Sequence, residues 1–193
     1  QDHVLSTVHR LSRPGEAVLE GGGLAWTRRS ALEHWFLRTI TISLTRHGHL
    51  RPPDARVLRE ARPAVVVVDD FVRAWLPTAP DIAPFLARNY LPREREIWVP
   101  APNALLAPGE SARWEVLRAG AYDVAASRRL AGHPWFRAPF DFPTLGRGRA
   151  DAFALDVSRE RADPALRIEA GGRPATLDGT RLLLEAGQAL VAT

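Results

Sequence analysis

Three carboxylates stand where apolar runs stop. "AVLE" (17–20) ends on Glu20, and "AVVVVDD" (64–70) ends on Asp69 and Asp70. Ligands of open α/β sheets gather at the carboxyl ends of parallel strands, so acids placed there suit a divalent cation or general acid–base work. The same residues also have a purely structural use, because Asp commonly terminates strands and caps helices. "EGGGLAW" follows Glu20, but its spacing fits neither the dinucleotide fingerprint nor the P-loop, and it reads as a bend needing positive backbone dihedrals. His47-Gly-His49 is the one close pair among six histidines. With no third ligand nearby it reads as surface loop rather than zinc site. No Gly-x-Ser-x-Gly elbow occurs, and Ser111 and Ser127 have no partner histidine in view, so a serine hydrolase has no support.

The elements that would position these acids follow from the spacing of apolar residues. Val4, Leu5, Val8 and Leu11 predict a helix over 3–13, stopped by Pro14-Gly15. Residues 17–20 predict a short strand. Ser30 with Glu33 reads as a capping box, opening a helix whose buried stripe is Leu32, Trp35, Phe36 and Ile40 and which ends before Arg46. Pro52-Pro53 opens a further helix with Val57 and Leu58 inward. A strand wet on one face alternates; a strand covered on both faces does not need to. The valine run therefore predicts a central parallel strand over 64–68 beside 17–20. A helix near 80–89 then leads to a third strand at 96–99.

Beyond residue 100 the texture changes. "APNALLAPGES" is a Pro/Gly-rich connector. "RWEVLRAGAYDVAAS" alternates and predicts an antiparallel hairpin turning at Ala119-Gly120. Turn signals recur at Gly171-Gly172, Asp178-Gly179 and Ala186-Gly187, and Asp-Gly is a strong tight-hairpin signal. The expected fold is α/β: a small three-layer sheet with parallel strands over 1–103, followed by an antiparallel β-sandwich-like part over 104–193. The second part carries an aromatic and Pro-rich loop at 128–150, with Trp135, Phe136, Phe140 and Phe142 among prolines. That loop either plugs the gap between the two parts or presents a sugar- or lipid-facing patch.

Composition narrows the class. Of 193 residues 46% are hydrophobic and 25% charged, an ordinary globular balance. No window approaches the roughly 18 to 20 apolar residues of a membrane span. The start is amphipathic and does not resemble a signal peptide. A chain beginning at Gln1 and lacking methionine is expected to be processed or cut from something longer. Cysteine is absent, which excludes disulfides and thiolate metal sites. All 26 basic residues are arginine, which fits GC-rich codon usage. The pI is about 10.7, yet the net charge is only +4 and the arginines are interleaved with 22 acids. No nucleic-acid partner is expected.

The order "PGEAVLEGGGLAW", "ALEHWF", "RPAVVVVDD", then "FLARNYLP" and "IWV" resembles the extracytoplasmic C-terminal regions of bacterial multi-span membrane glycosyltransferases. These are related to protein mannosyltransferases that use polyprenyl-phosphate sugars. "WEVLRAGAYDV" with "LLLEAGQALVA" looks like the small β-sandwich that often closes such chains, so the resemblance covers most of 14–193. It implies a soluble extracytoplasmic domain, membrane-anchored in its parent, with no cofactor of its own. Its jobs would be to cover the active-site opening, help choose the acceptor, or bind carbohydrate or a polyprenyl-phosphate glycolipid. The family's acidic catalytic residue lies in a loop near the start of the membrane portion, so none carries over. The ligand-binding candidates are then Glu20, Asp69, Asp70, Trp135 and Phe136. The alternatives are a metal-assisted enzyme using the strand-end carboxylates, and a structural or protein-interaction module.

Overall fold

The computed structural model describes residues 2–23, 27–32, 39–94, 96–107, 109–125, 166–176 and 181–193. Helix α1 (Asp2–Leu11) has an acid in its first turn and His9 and Arg10 in its last, the polarity its dipole favours. Gly15, at φ +85°, turns the chain into β1 (Ala17–Leu19). Strand β2 (Arg29–Ser30) pairs parallel to β1. Ser30 is thus a strand residue, not the first cap of a helix, although its hydroxyl does accept from the Leu32 amide at 3.2 Å. Glu33, Trp35 and Phe36 lie outside the described residues.

Helix α2 (Thr39–Arg46) runs through the β-branched "TITISLT" to Arg46, where the sequence suggested an earlier end. Propensity is a weak prior beside tertiary packing. Ile40, expected inward, is 67% exposed; Ile42 takes the buried position instead. Helix α3 (Ala55–Ala61) is capped by Asp54, whose carboxylate accepts from the Arg56 amide at 2.8 Å. It ends at Arg62, the one described non-glycine residue with positive φ (+47°).

Strand β3 (Val65–Val67) lies parallel to β1 at the centre of the sheet. Asp69 caps α4 (Asp70–Trp75), a helix the sequence reading missed because it is short. Helix α5 (Ile82–Asn89) leads straight into β4 (Tyr90–Glu94), which folds back on β5 (Ile97–Pro100). The expected third strand is therefore one arm of an antiparallel hairpin. The sheet order is β2-β1-β3-β5-β4; β1, β2 and β3 pair in parallel, and β5 runs against its two neighbours β3 and β4.

The period of two now shows which face each valine serves. Val65 and Val67 pack with Val18, Ile97 and Val8 of α1. Val66 and Val68 pack with Leu19, Leu58, Val72, Trp75, Ile82 and Leu86 on the other face. Helices cover both sides, giving three layers. At the sheet's antiparallel side the Tyr90 hydroxyl, fully buried, donates to the Pro63 carbonyl at 3.0 Å. Burial pushes that phenol's pKa far up, so it stays a donor at any working pH.

The second part begins with β6 (Ala112–Glu115) and β7 (Gly120–Asp123). These do not pair with each other, which corrects the expected hairpin at Ala119-Gly120. Strands β8 (Ile168–Ala170) and β9 (Arg173–Pro174) do form a hairpin, across Gly171 and Gly172, both at positive φ. Strands β10 (Arg181–Leu184) and β11 (Ala189–Ala192) flank the turn at Ala186-Gly187. That turn also switches sheets: β10 pairs with β7, and β11 with β6 and β8. The two sheets, β6-β11-β8-β9 and β10-β7, share one core of Trp114, Val116, Leu182, Leu184 and Leu190. The alternation was legible; the partners were not. Asp178-Gly179 lies outside the described residues.

Replacing Tyr90 by Phe leaves the Pro63 carbonyl buried without its donor. This should lower stability by about 1–2 kcal/mol in urea unfolding; an unchanged midpoint would refute the assigned bond.

Candidate functional site

The parallel strands bring Glu20 and Asp69 to the same edge of the sheet, where sequence placed them. What they do there is local. One Asp69 oxygen accepts from the Val72 amide at 2.8 Å, and the other from the Gly21 amide at 3.2 Å. Burial, the largest influence, raises the Asp69 pKa; the amides of Val72, Gly21 and Phe71 oppose it, and the neighbouring charge of Asp70 adds to it. Glu20, 8% exposed, accepts from the Gly22 amide at 2.8 Å. Asp70 points outward in the first turn of α4. Among the described residues no group of three or more His, Asp or Glu side chains is placed to hold a metal ion.

The glycines fit this use. A Cβ on Gly21 would stand 2.6 Å from the Phe71 Cβ and 2.9 Å from an Asp69 oxygen. Gly21 is needed for space, while Gly23, at φ +73°, is needed for its dihedral. His47 bonds the Ser43 carbonyl through Nδ1 at 2.8 Å beyond α2, an exposed helix-end contact. Trp135 and Phe136 lie outside the described residues.

A second concavity, which sequence reasoning missed, lies where the two parts meet. The cleft, about 550 Å³, is walled by α3, α5 and β6. Arg59 lies over the Phe85 ring, 5.6 Å from its centroid, and Arg88 over Trp114 at 5.7 Å. Arg88 also donates to the Arg113 carbonyl at 2.6 Å. Arg56, Arg59, Arg88 and Arg113 face Asp54, Asp81 and Glu115 there. Three of these charges are already engaged. Arg56 pairs with Glu60 at 2.7 Å, Asp54 caps α3, and Glu115 pairs with Arg62 at 3.3 Å. Neither Arg59 nor Arg113 has a carboxylate partner among the described residues. The Trp114 indole N–H beneath Arg88 is buried without an acceptor among them.

The joint itself is held from several sides. Leu117, just past β6, is buried in the core of the α/β layer. Arg118 reaches back to bond Glu16 ahead of β1. The sequence signal for the cleft was the pairing of Arg with Phe or Arg at one-turn spacing: Arg56 with Arg59, and Phe85 with Arg88. Nothing in it said that α3 and α5 face the same strand.

No protein-family model, curated protein or solved structure matches this chain. Among the described residues no helix is long and apolar enough to cross a membrane.

Gly21→Ala should destabilise the chain by about 1–3 kcal/mol through overpacking. Asp69→Ala, losing the cap and the Gly21 acceptor, should lose about 2 kcal/mol. Chemical denaturation reads both, and a neutral result for Gly21→Ala would contradict the tight approach to Phe71.

Proposed function

We propose that this chain is a non-catalytic accessory domain of a membrane glycosyltransferase, contributing to the binding of carbohydrate or a glycolipid acceptor at the extracytoplasmic face. Its partners would be the membrane portion of the parent protein and a carbohydrate or polyprenyl-phosphate glycolipid. The resemblance of the strand and turn sequences motivates the class. The observation that carries the binding role is the cleft at the joint, because concave sites with a few convergent polar groups occur preferentially where domains meet. Arginines held over aromatic rings present N–H groups to ligand oxygens while giving up little side-chain freedom.

The acids at the sheet edge support a non-catalytic reading. Both Asp69 oxygens accept from backbone amides, and Glu20 is buried and accepts from the Gly22 amide. The edge is built as a turn that starts α4.

Two measurements on the isolated chain test this together. Saturation-transfer NMR with oligosaccharides should show saturable contact, weakened by Arg88→Ala. A short-chain polyprenyl-phosphate sugar supplied with an acceptor should remain unconsumed. Transfer or hydrolysis by the chain alone would refute the accessory role, and absence of contact with every glycan offered would refute the carbohydrate role.

A further inference from the structure

Strand β6 is an edge among the described strands: it pairs with β11, and none of them pairs on its other side. The sheet fixes which way its main-chain groups point. Arg167 and Thr193 exchange both backbone bonds, so Thr193 and Val191 turn theirs to the β8 side, and Leu190 and Ala192 turn theirs to β6. Their partners Trp114 and Ala112 therefore face β11, and Arg113 and Glu115 present N–H and C=O groups to the open side. The Arg88 guanidinium reaches the Arg113 carbonyl, at 2.6 Å, from that side. The Arg113 N–H and both main-chain groups of Glu115 have no partner among the described residues. The edge borders open space. Arg113, Trp114 and Glu115 line the 550 Å³ cleft, and Ser111 and Ala112 line a groove of about 720 Å³ that shares Pro84 and Arg88 with it. One trough thus follows the strand, with α5 as another wall.

We propose that this trough takes an extended polypeptide segment of a partner protein, added to β6 as a further strand of its sheet. The inference goes beyond the carbohydrate reading and stands without it. Donors and acceptors left open at the strand repeat are the complement of another extended main chain, and strand addition draws its affinity from those bonds. Sheets discourage such additions by covering their edges. Here one arginine side chain covers one carbonyl, and an arriving N–H replaces it. Side chains then select the segment. In antiparallel alignment an acid is favoured opposite Arg113, which is exposed and has no carboxylate partner among the described residues. A β-branched or aromatic residue is favoured opposite Trp114. Leu105 and Leu106, 50% and 36% exposed along the groove, favour aliphatic residues farther on.

The probe is the capped peptide acetyl-Ser-Thr-Val-Glu-Val-Leu-amide, whose Thr, first Val and Glu would face Glu115, Trp114 and Arg113. Titrated into the isotope-labelled chain, it should shift the Arg113 and Glu115 amides saturably. N-methylation of its Thr and Glu, whose N–H groups would face β6, should weaken binding about tenfold or more. N-methylation of the Val between them should leave it within about threefold, because that N–H faces away. On the chain, Arg113→Pro removes an outward N–H and no ladder bond to β11, so the unfolding midpoint should hold while affinity falls about tenfold. Arg113→Gln keeps the N–H and should weaken the peptide about threefold or less. If Arg113→Pro does not fold, the two N-methyl peptides decide alone. The proposal is overturned if those peptides bind alike, if a folded Arg113→Pro binds as well as Arg113→Gln, if nothing shifts, or if sedimentation shows a second copy of the chain occupying this edge. Peptide bound without any glycan would sustain this inference while sinking the carbohydrate role; a glycan bound without peptide would do the reverse.

Discussion

Four consecutive valines must leave water on both faces of one strand, and that demand organises the α/β layer. Val65 to Val68 are each at most 1% exposed. Burying such a side chain contributes about 1.5–3 kcal/mol before entropy is counted, against a net stability for a domain of about 5–15 kcal/mol. No single helix can cover both faces. The chain therefore sets α1 on one side before the sheet is begun, and places α3, α4 and α5 on the other. The parallel neighbour β1 obeys the same rule, with Val18 facing α1 and Leu19 facing away.

The turn after β3 follows from this. A strand that ends inside two layers must leave at its edge, and Asp69 accomplishes the exit by capping α4 while holding Gly21 of the adjacent strand end. One carboxylate thus ties together two backbone segments that are far apart in sequence. Its electrostatic position reflects this: taken from water, it is compensated by amide dipoles rather than by a cation.

The three-layer arrangement was readable because apolar continuity and turn residues are local signals, and the valine run and Asp69 carried them clearly. Pairing was not readable. Trp114 and Tyr122 alternate like the arms of a hairpin, yet they pair with residues far downstream, Leu190 of β11 and Leu182 of β10. The antiparallel return of β4 onto β5 was hidden because Pro92 interrupts an otherwise strand-like run, at a point where the register shifts. The carboxylates were found at the right edge, and their amide partners show Asp69 serving as a cap. The arginine cleft stayed hidden because its walls come from three separated elements, each of which alone looks like an ordinary solvated face.

The sandwich departs from the α/β layer and rejoins its own starting point almost at one spot. Val116 donates to the Gln188 carbonyl at 2.9 Å, and Gly187 donates back to Val116 at 2.7 Å. These two bonds close the excursion between Val116 and Gln188 at its neck. Lengthening or exchanging the outer strands of such an excursion changes the closure entropy only logarithmically. The neck, with Leu117 buried in the α/β core beside it, fixes where that excursion begins and ends whatever its length.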